Sequence, residues 1–299
     1  YIDCSLMRNT VALWLANYLE MPFANHCVPV KVYFNGICKG QYMLTEKTGI
    51  GSGSVDIDEE KGMLFEIDSN YDEDYRFAYN LYSHTAIQNG NNSQGTLPVM
   101  IADPDLTEIA PALGLTADEY FNTWKNDFSA MLTAVMTTPS KGSLKEYIDL
   151  ESVVNFFMVN SLSSNHEMEH PKSFKLYKDS LDGVYKFGPV WDFDAGMGTR
   201  IDAHDSIQSS YWGYYLTLHN TIMSNQVKKR IQEIYEDTFR DLVQKVVLGD
   251  ENAVGPAGKL HSISTYAKTI AASQRMNEIP FGVTSFTFQA EPTRPRLIS

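Results

Sequence analysis

The chain has 299 residues, 43% hydrophobic and 20% charged, which gives enough apolar material for a core and too much for a linker or disordered tail. Its 37 acidic against 24 basic residues leave a formal net charge of −13, which argues against nucleic acid or an anionic membrane surface as the main partner. Cys4, Cys27 and Cys38 form no CxxC pair and allow at most one disulfide, and no apolar run approaches the roughly 20 residues of a membrane span. The opening Tyr1-Ile2-Asp3 is read as a cut or processed end.

In chain order, Val11, Trp14, Leu15 and Tyr18 recur at i, i+3, i+4 and i+7, so residues 5 to 20 are predicted to hold a helix. Val30, Val32 and Phe34 then alternate up to Asn35-Gly36, with Tyr42 and Leu44 alternating beyond it. This pattern predicts a hairpin whose tight turn takes two positive φ angles. GMLFEID at 62 to 68 reads as a further strand, followed by an acidic, aromatic stretch from Ser69 to Phe77 and a polar one from Gln88 to Gly95. Leu97 to Ile101 is another short strand, closed by Asp103-Pro104-Asp105. Helix signals follow. Thr116 and Glu119 form a capping box ahead of an apolar face from Tyr120 to Val135, Ser143 with Glu146 starts a second helix, and Asp149 starts a third. Phe174, Leu176, Tyr185 and Phe187 make hairpin arms around Asp182-Gly183, and residues 220 to 246 and 256 to 278 are helical. The expected fold is α+β: a β-rich part over 1 to 112 and a mainly helical part over 113 to 299 that carries a hairpin. The two would act as lobes meeting at a cleft.

Chemistry concentrates in GPVWDFDAGMG, residues 188 to 198. A strand ending in Trp191 would deliver Asp192 and Asp194 at i and i+2, a hard-oxygen pair suited to Mg²⁺ with phosphate and water completing its shell. The competing reading makes one a cap and the other a solvated charge. The flanking Trp191, Phe193 and glycines favour the metal, because a partly desolvated double charge without a counter-ion is costly. Upstream, NHEMEHPKS at 165 to 173 gathers Glu167, Glu169, His166, His170, Lys172 and Ser173 in what is either a functional or a merely polar loop. Its HExxxH spacing differs from the HExxH of zinc peptidases. TGIGSGSV at 48 to 55 reads as a loop, since no helix pattern follows to hold a phosphate. No GxSxG elbow is present. Arg8, Glu46, Lys47 and Glu66 are either surface charges or groups turned towards the cleft.

Four stretches in order resemble the CotH (spore coat protein H) kinase-like family: DCSLMRNTVALWLAN at 3 to 17, PVKVYFNGICKGQYMLTEK at 29 to 47, GMLFEID at 62 to 68, and 165 to 198. The resemblance implies an atypical protein-kinase fold, secreted or on a bacterial cell or spore surface, that uses ATP and Mg²⁺ to phosphorylate protein hydroxyls, among them those of coat proteins. It places Asp192 on the family's metal-binding aspartate, where it also serves catalysis, and Asp194 on its partner. Glu167 falls near the catalytic carboxylate and Ser173 near a metal-binding Asn. Both depart from the usual residue type. The basic residue expected in the third strand is missing, since GMLFEID offers Glu66. Arg8, Lys47 and Lys172 are then the candidates for phosphate contact. The departures keep a second reading open: a surface structural or adhesion module of weak or no catalytic activity.

Overall fold

The computed structural model describes residues 3, 5–91, 95–137, 144–165, 172–197, 221–240 and 263–281. It is a mixed α and β structure, β-rich in its first half, with helices later. Helix α1 (Arg8–Tyr18) starts on Asp3, whose carboxylate accepts from the Met7 and Arg8 N–H groups at 2.9 Å each, and it buries Val11, Leu13, Trp14 and Leu15. Strands β1 (Cys27–Phe34) and β2 (Ile37–Thr45) follow as a separate antiparallel hairpin. Its turn is the expected one, with Asn35 at φ 50° and Gly36 at φ 77°.

The main sheet is antiparallel, in the order β5 (Thr85–Gln88), β4 (Arg76–Asn80), β6 (Thr96–Asp103), β3 (Met63–Ile67), β7 (Phe174–Lys178), β8 (Lys186–Phe187). Strands from either side of residue 112 therefore share one sheet. The sequence pattern does not reveal β4 and β5. In β4 Phe77, Ala78 and Tyr79 are all buried, so the period-2 alternation is erased, and in β5 only Ala86 and Ile87 are apolar.

Two short turns, α2 (Leu106–Ile109) and a 3-10 turn at Ala110–Leu113, lead to α3 (Ala117–Thr137). Its capping box is present: Thr116 N–H donates to Glu119 Oε2 at 2.8 Å, and Glu119 N–H donates to Thr116 Oγ1 at 3.2 Å. In place of the helix expected around Glu146 stands a single 3-10 turn, Leu144–Glu146. Helix α4 (Leu150–Leu162) opens on Asp149, whose Oδ1 accepts from Ser152 N–H at 2.7 Å. Helices α5 (Thr221–Ile234) and α6 (Ile263–Phe281) complete the described chain, α6 packing against β2. No helix of the described residues is long and apolar enough to cross a membrane.

The two faces of the main sheet differ. One carries Met63, Phe65 and Phe77 into the core, where Phe65 meets Phe128 at 4.6 Å and Trp124 at 6.1 Å between ring centroids. The other carries Leu64 and Tyr177, covered by Ile50 and Val55 from the glycine-containing loop, which forms a closed turn rather than a phosphate cradle. Further along that second face the residues become polar: Glu66 opposite Lys175, then Asp68 beside Ser173.

Candidate functional site

Strand β8 stops at Phe187, short of the expected Trp191, so a strand does not position the aspartates. Phe193 does. Its ring is fully buried in the core, its N–H donates to Asn9 Oδ1 of α1 at 2.7 Å, and its carbonyl accepts from Gly196 N–H at 2.9 Å. Gly196 is required by close approach, because a Cβ there would lie 2.8 Å from the Ser163 carbonyl oxygen. Met197 N–H donates to that same carbonyl at 2.6 Å. Asp192 takes a left-handed backbone with φ 58°, a strained choice for a non-glycine residue that this surrounding network imposes.

The two carboxyl groups meet. A hydrogen bond from Asp192 is the main influence holding the Asp194 carboxyl below its ordinary range. It outweighs partial burial and is aided by the residue's own N–H and the Asn9 side-chain amide. Asn9 therefore holds the segment at two points, accepting from Phe193 and donating to Asp194. On the other side Ser173 Oγ lies 3.5 Å from Asp192 Oδ2, and Ser173 N–H donates to the buried Asp68 carboxylate at 3.0 Å. A cavity of about 160 Å³ opens beside Asp194, lined by Asp3, Asn9, Gln41, Met43 and Tyr266 among others.

Glu167 lies outside the described residues, as do His166, Glu169 and His170. The flanks of its segment, however, meet the glycine turn after the aspartates on one side and Asp192 on the other. Ser163 accepts from Met197, the Asn165 Cα packs by Gly196, and Ser173 reaches Asp192. Lys172 is half-buried next to Ser173. Arg8 is the ion-pair partner of Asp3, Nη1 to Oδ1 at 2.6 Å, with both side chains mostly buried. Lys47 is exposed and does not line the cavity. Glu66 pairs with Lys175, Nζ to Oε2 at 2.7 Å, at 20% and 9% side-chain exposure. Lys175, Asn9 and Asp68 are the residues that reading the sequence missed. The register of Glu66 against a lysine two places beyond Ser173 was the signal available for the first.

Together, the described residues bring two hard-oxygen donors, a serine hydroxyl and an amide to one place, with the buried Lys175–Glu66 pair two residues along β7 from that serine. Among the described residues no group of three or more His, Cys, Asp or Glu side chains forms a complete metal cage. Two carboxylates with open positions suit Mg²⁺ shared with phosphate and water, and do not suit a structural zinc site. The CotH family model, described as "CotH kinase protein", matches residues 1–251.

The chain belongs to the CotH kinase family. The CotH match takes in α1, both sheets and the whole aspartate segment, and it ends before α6 begins at Ile263. No curated protein matches the chain.

Proposed function

We propose that this CotH-family chain is an atypical, kinase-like phosphotransferase that moves the γ-phosphoryl group of ATP to protein hydroxyls with Mg²⁺. The observation that carries the reading is the pair Asp192 and Asp194. A hydrogen bond joins their carboxyls, with Asp194 on the wall of a cavity, and two negative charges so placed are tolerated only with a proton or a cation between them. The residues fit the metal, and Asp192 and Asp194 would hold it with Ser173 Oγ in reach. A bound Mg²⁺ supplies neutralisation of charge on the phosphate oxygens.

The chain's own residues do the rest. Asn9 fixes the orientation of the aspartate segment, Asp68 fixes Ser173, and Phe193 holds the segment to the core. Lys175, paired with Glu66, would turn its ammonium to the phosphate oxygens, the role expected of Arg8 or Lys47. Glu167, on the segment whose flanks meet Asp192 and the turn at Gly196, would orient the acceptor hydroxyl and take its proton. The cavity of about 160 Å³ is smaller than the roughly 300 Å³ at which ligand pockets begin, so it accommodates the phosphate and metal end and leaves the base nearer the hairpin. The spore coat protein H resemblance supports a place on a bacterial cell or spore surface, with Ser-rich coat or surface proteins as acceptors.

Incubation with Mg²⁺ and radiolabelled ATP should label the protein or an added Ser-rich acceptor, and Asp192→Ala should abolish the signal. Equal labelling by wild type and variant would remove the assignment. Magnesium-dependent ATP binding without any label transfer would select the second reading, a non-catalytic surface module, whose motive is the Glu167 and Ser173 departures from the family's residue types.

A further inference from the structure

Asp68 stands one step past the end of β3. Ile67 pairs with Phe174 of β7, so the antiparallel register puts Asp68 opposite Ser173. The ladder stops there, because Ser173 turns into the left-handed region at φ 54°. An N–H taken out of a ladder in a half-buried place needs another acceptor, and the Asp68 carboxylate supplies it. Its Oδ2 accepts from Ser173 N–H at 3.0 Å, while Oδ1 accepts from Asn70 N–H at 2.7 Å. The residue is only 6% exposed, and burying a charge to hold two backbone amides is costly for a mere turn. On its other side Ser173 extends Oγ to within 3.5 Å of Asp192 Oδ2, and Asp192 is left-handed too, at φ 58°. Two strained residues thus meet side chain to side chain, and Asp68 fastens one of them.

We infer that Asp68 is a positioning residue for the divalent-ion end of the site, which sets the affinity for the ion through the Ser173 hydroxyl and not as a ligand of its own. This rests on the proposed reading that Asp192 and Asp194 hold such an ion with Ser173 Oγ in reach. Both Asp68 oxygens are engaged by backbone amides, so the route from Asp68 to Asp192 runs through the serine it holds. Partners of this kind, which orient a ligand without touching the metal, shift metal affinity by about 10–100-fold. The sequence conceals the role. An aspartate at a strand end reads as a turn former, and its meaning emerges only when a residue 105 positions away is set beside it. Two other roles are open to a buried carboxylate here, a third ligand to the ion and a plain prop of the fold, and each gives a different result.

The test titrates the full chain with Mn²⁺, which shares the preference of Mg²⁺ for oxygen ligands, and follows the free ion by its paramagnetic resonance signal. Asp68→Asn keeps the size of the side chain and gives up its charge and one acceptor. Ser173→Gly keeps the left-handed backbone and its N–H and gives up the hydroxyl. Each alone should weaken Mn²⁺ binding about tenfold or more. Together they should weaken it no further than Ser173→Gly does alone, whereas Asp68→Asn should lower the Tm equally in both backgrounds, because the N–H of residue 173 loses its acceptor either way. An Asp68→Asn effect on Mn²⁺ that is as large beside Ser173→Gly as without it would make Asp68 a ligand or a general prop, and overturns the inference. Mn²⁺ binding indifferent to either substitution overturns it as well. In both outcomes the wild type still takes up Mn²⁺ and the aspartate-pair reading stands. A wild type that takes up none removes that reading, and the inference with it.

Discussion

Asn9 shows how much one side chain can carry. It satisfies a buried N–H at Phe193 and stabilises the ionised Asp194, so Asn9→Ala strands the Phe193 donor and takes an N–H from the Asp194 carboxylate. We expect a loss of about 1–2 kcal/mol in denaturant unfolding together with weaker Mg²⁺-dependent nucleotide binding. An unchanged midpoint would mean that the Phe193 N–H finds another partner. Phe193 itself is wholly buried and stands in sequence between the two aspartates, and Phe193→Ala should cost about 3–5 kcal/mol. The sequence made Asp192 and Asp194 legible because paired carboxylates beside glycines have few uses. It hid Asn9 and Lys175 because their meaning comes from partners 184 residues and 109 residues away in the chain, respectively. Asn9 looks like any helix-start amide and Lys175 like any strand lysine until the pairing is known.

Among elements, the capping box of α3 is open to a pH test. The Glu119 carboxyl is held below its ordinary value by the Thr116 backbone N–H first and its hydroxyl second. A depressed folded value means that its contribution is present above the unfolded value and fades as pH falls through the folded one. The Tm gap between wild type and Glu119→Gln should therefore be open at neutral pH and close below about pH 4, which thermal melts across pH would show. A gap constant with pH would assign the effect to packing. Strand β7 is fastened to α3 by Lys178, whose buried Nζ meets Asp127 Oδ2 at 2.8 Å while Tyr185 OH donates to the same oxygen at 2.7 Å. Asp127→Ala leaves that ammonium without its counter-charge, and a loss of about 3 kcal/mol is expected by chemical denaturation. Local patterns sufficed for α1, the Asn-Gly hairpin and α3, whose periodicity and caps lie within a few residues. They failed for β4 and β5, which depend on neighbours in the sheet, and for the strand expected to reach Trp191, where anchorage by Phe193 replaces pairing.

At the scale of the whole molecule, α6 lies beyond the CotH match yet takes part in the candidate site. Tyr266 lines the cavity, stacks edge-on against Trp14 at 5.2 Å and lies 3.3 Å from Thr10 Oγ1 through its hydroxyl. A chain ended at residue 251 should show a red shift in tryptophan emission as Trp14 meets water, and about tenfold weaker binding of MgATP. Retention of both properties would make α6 an appendage. The CotH resemblance rests on stretches between residues 3 and 198 and is silent on this closing helix, which the apolar periodicity predicts over 256 to 278.

The separation between Asn9 and Phe193 has a temporal consequence. Contacts closing so long a loop form late, after local helices and hairpins are in place. A nascent polypeptide that has exposed α1 and the hairpin still lacks Asp192 and Asp194, and with them half of the candidate site. On the proposed function, such a chain would be inert during synthesis and become competent only once Asn9 and Phe193 have met.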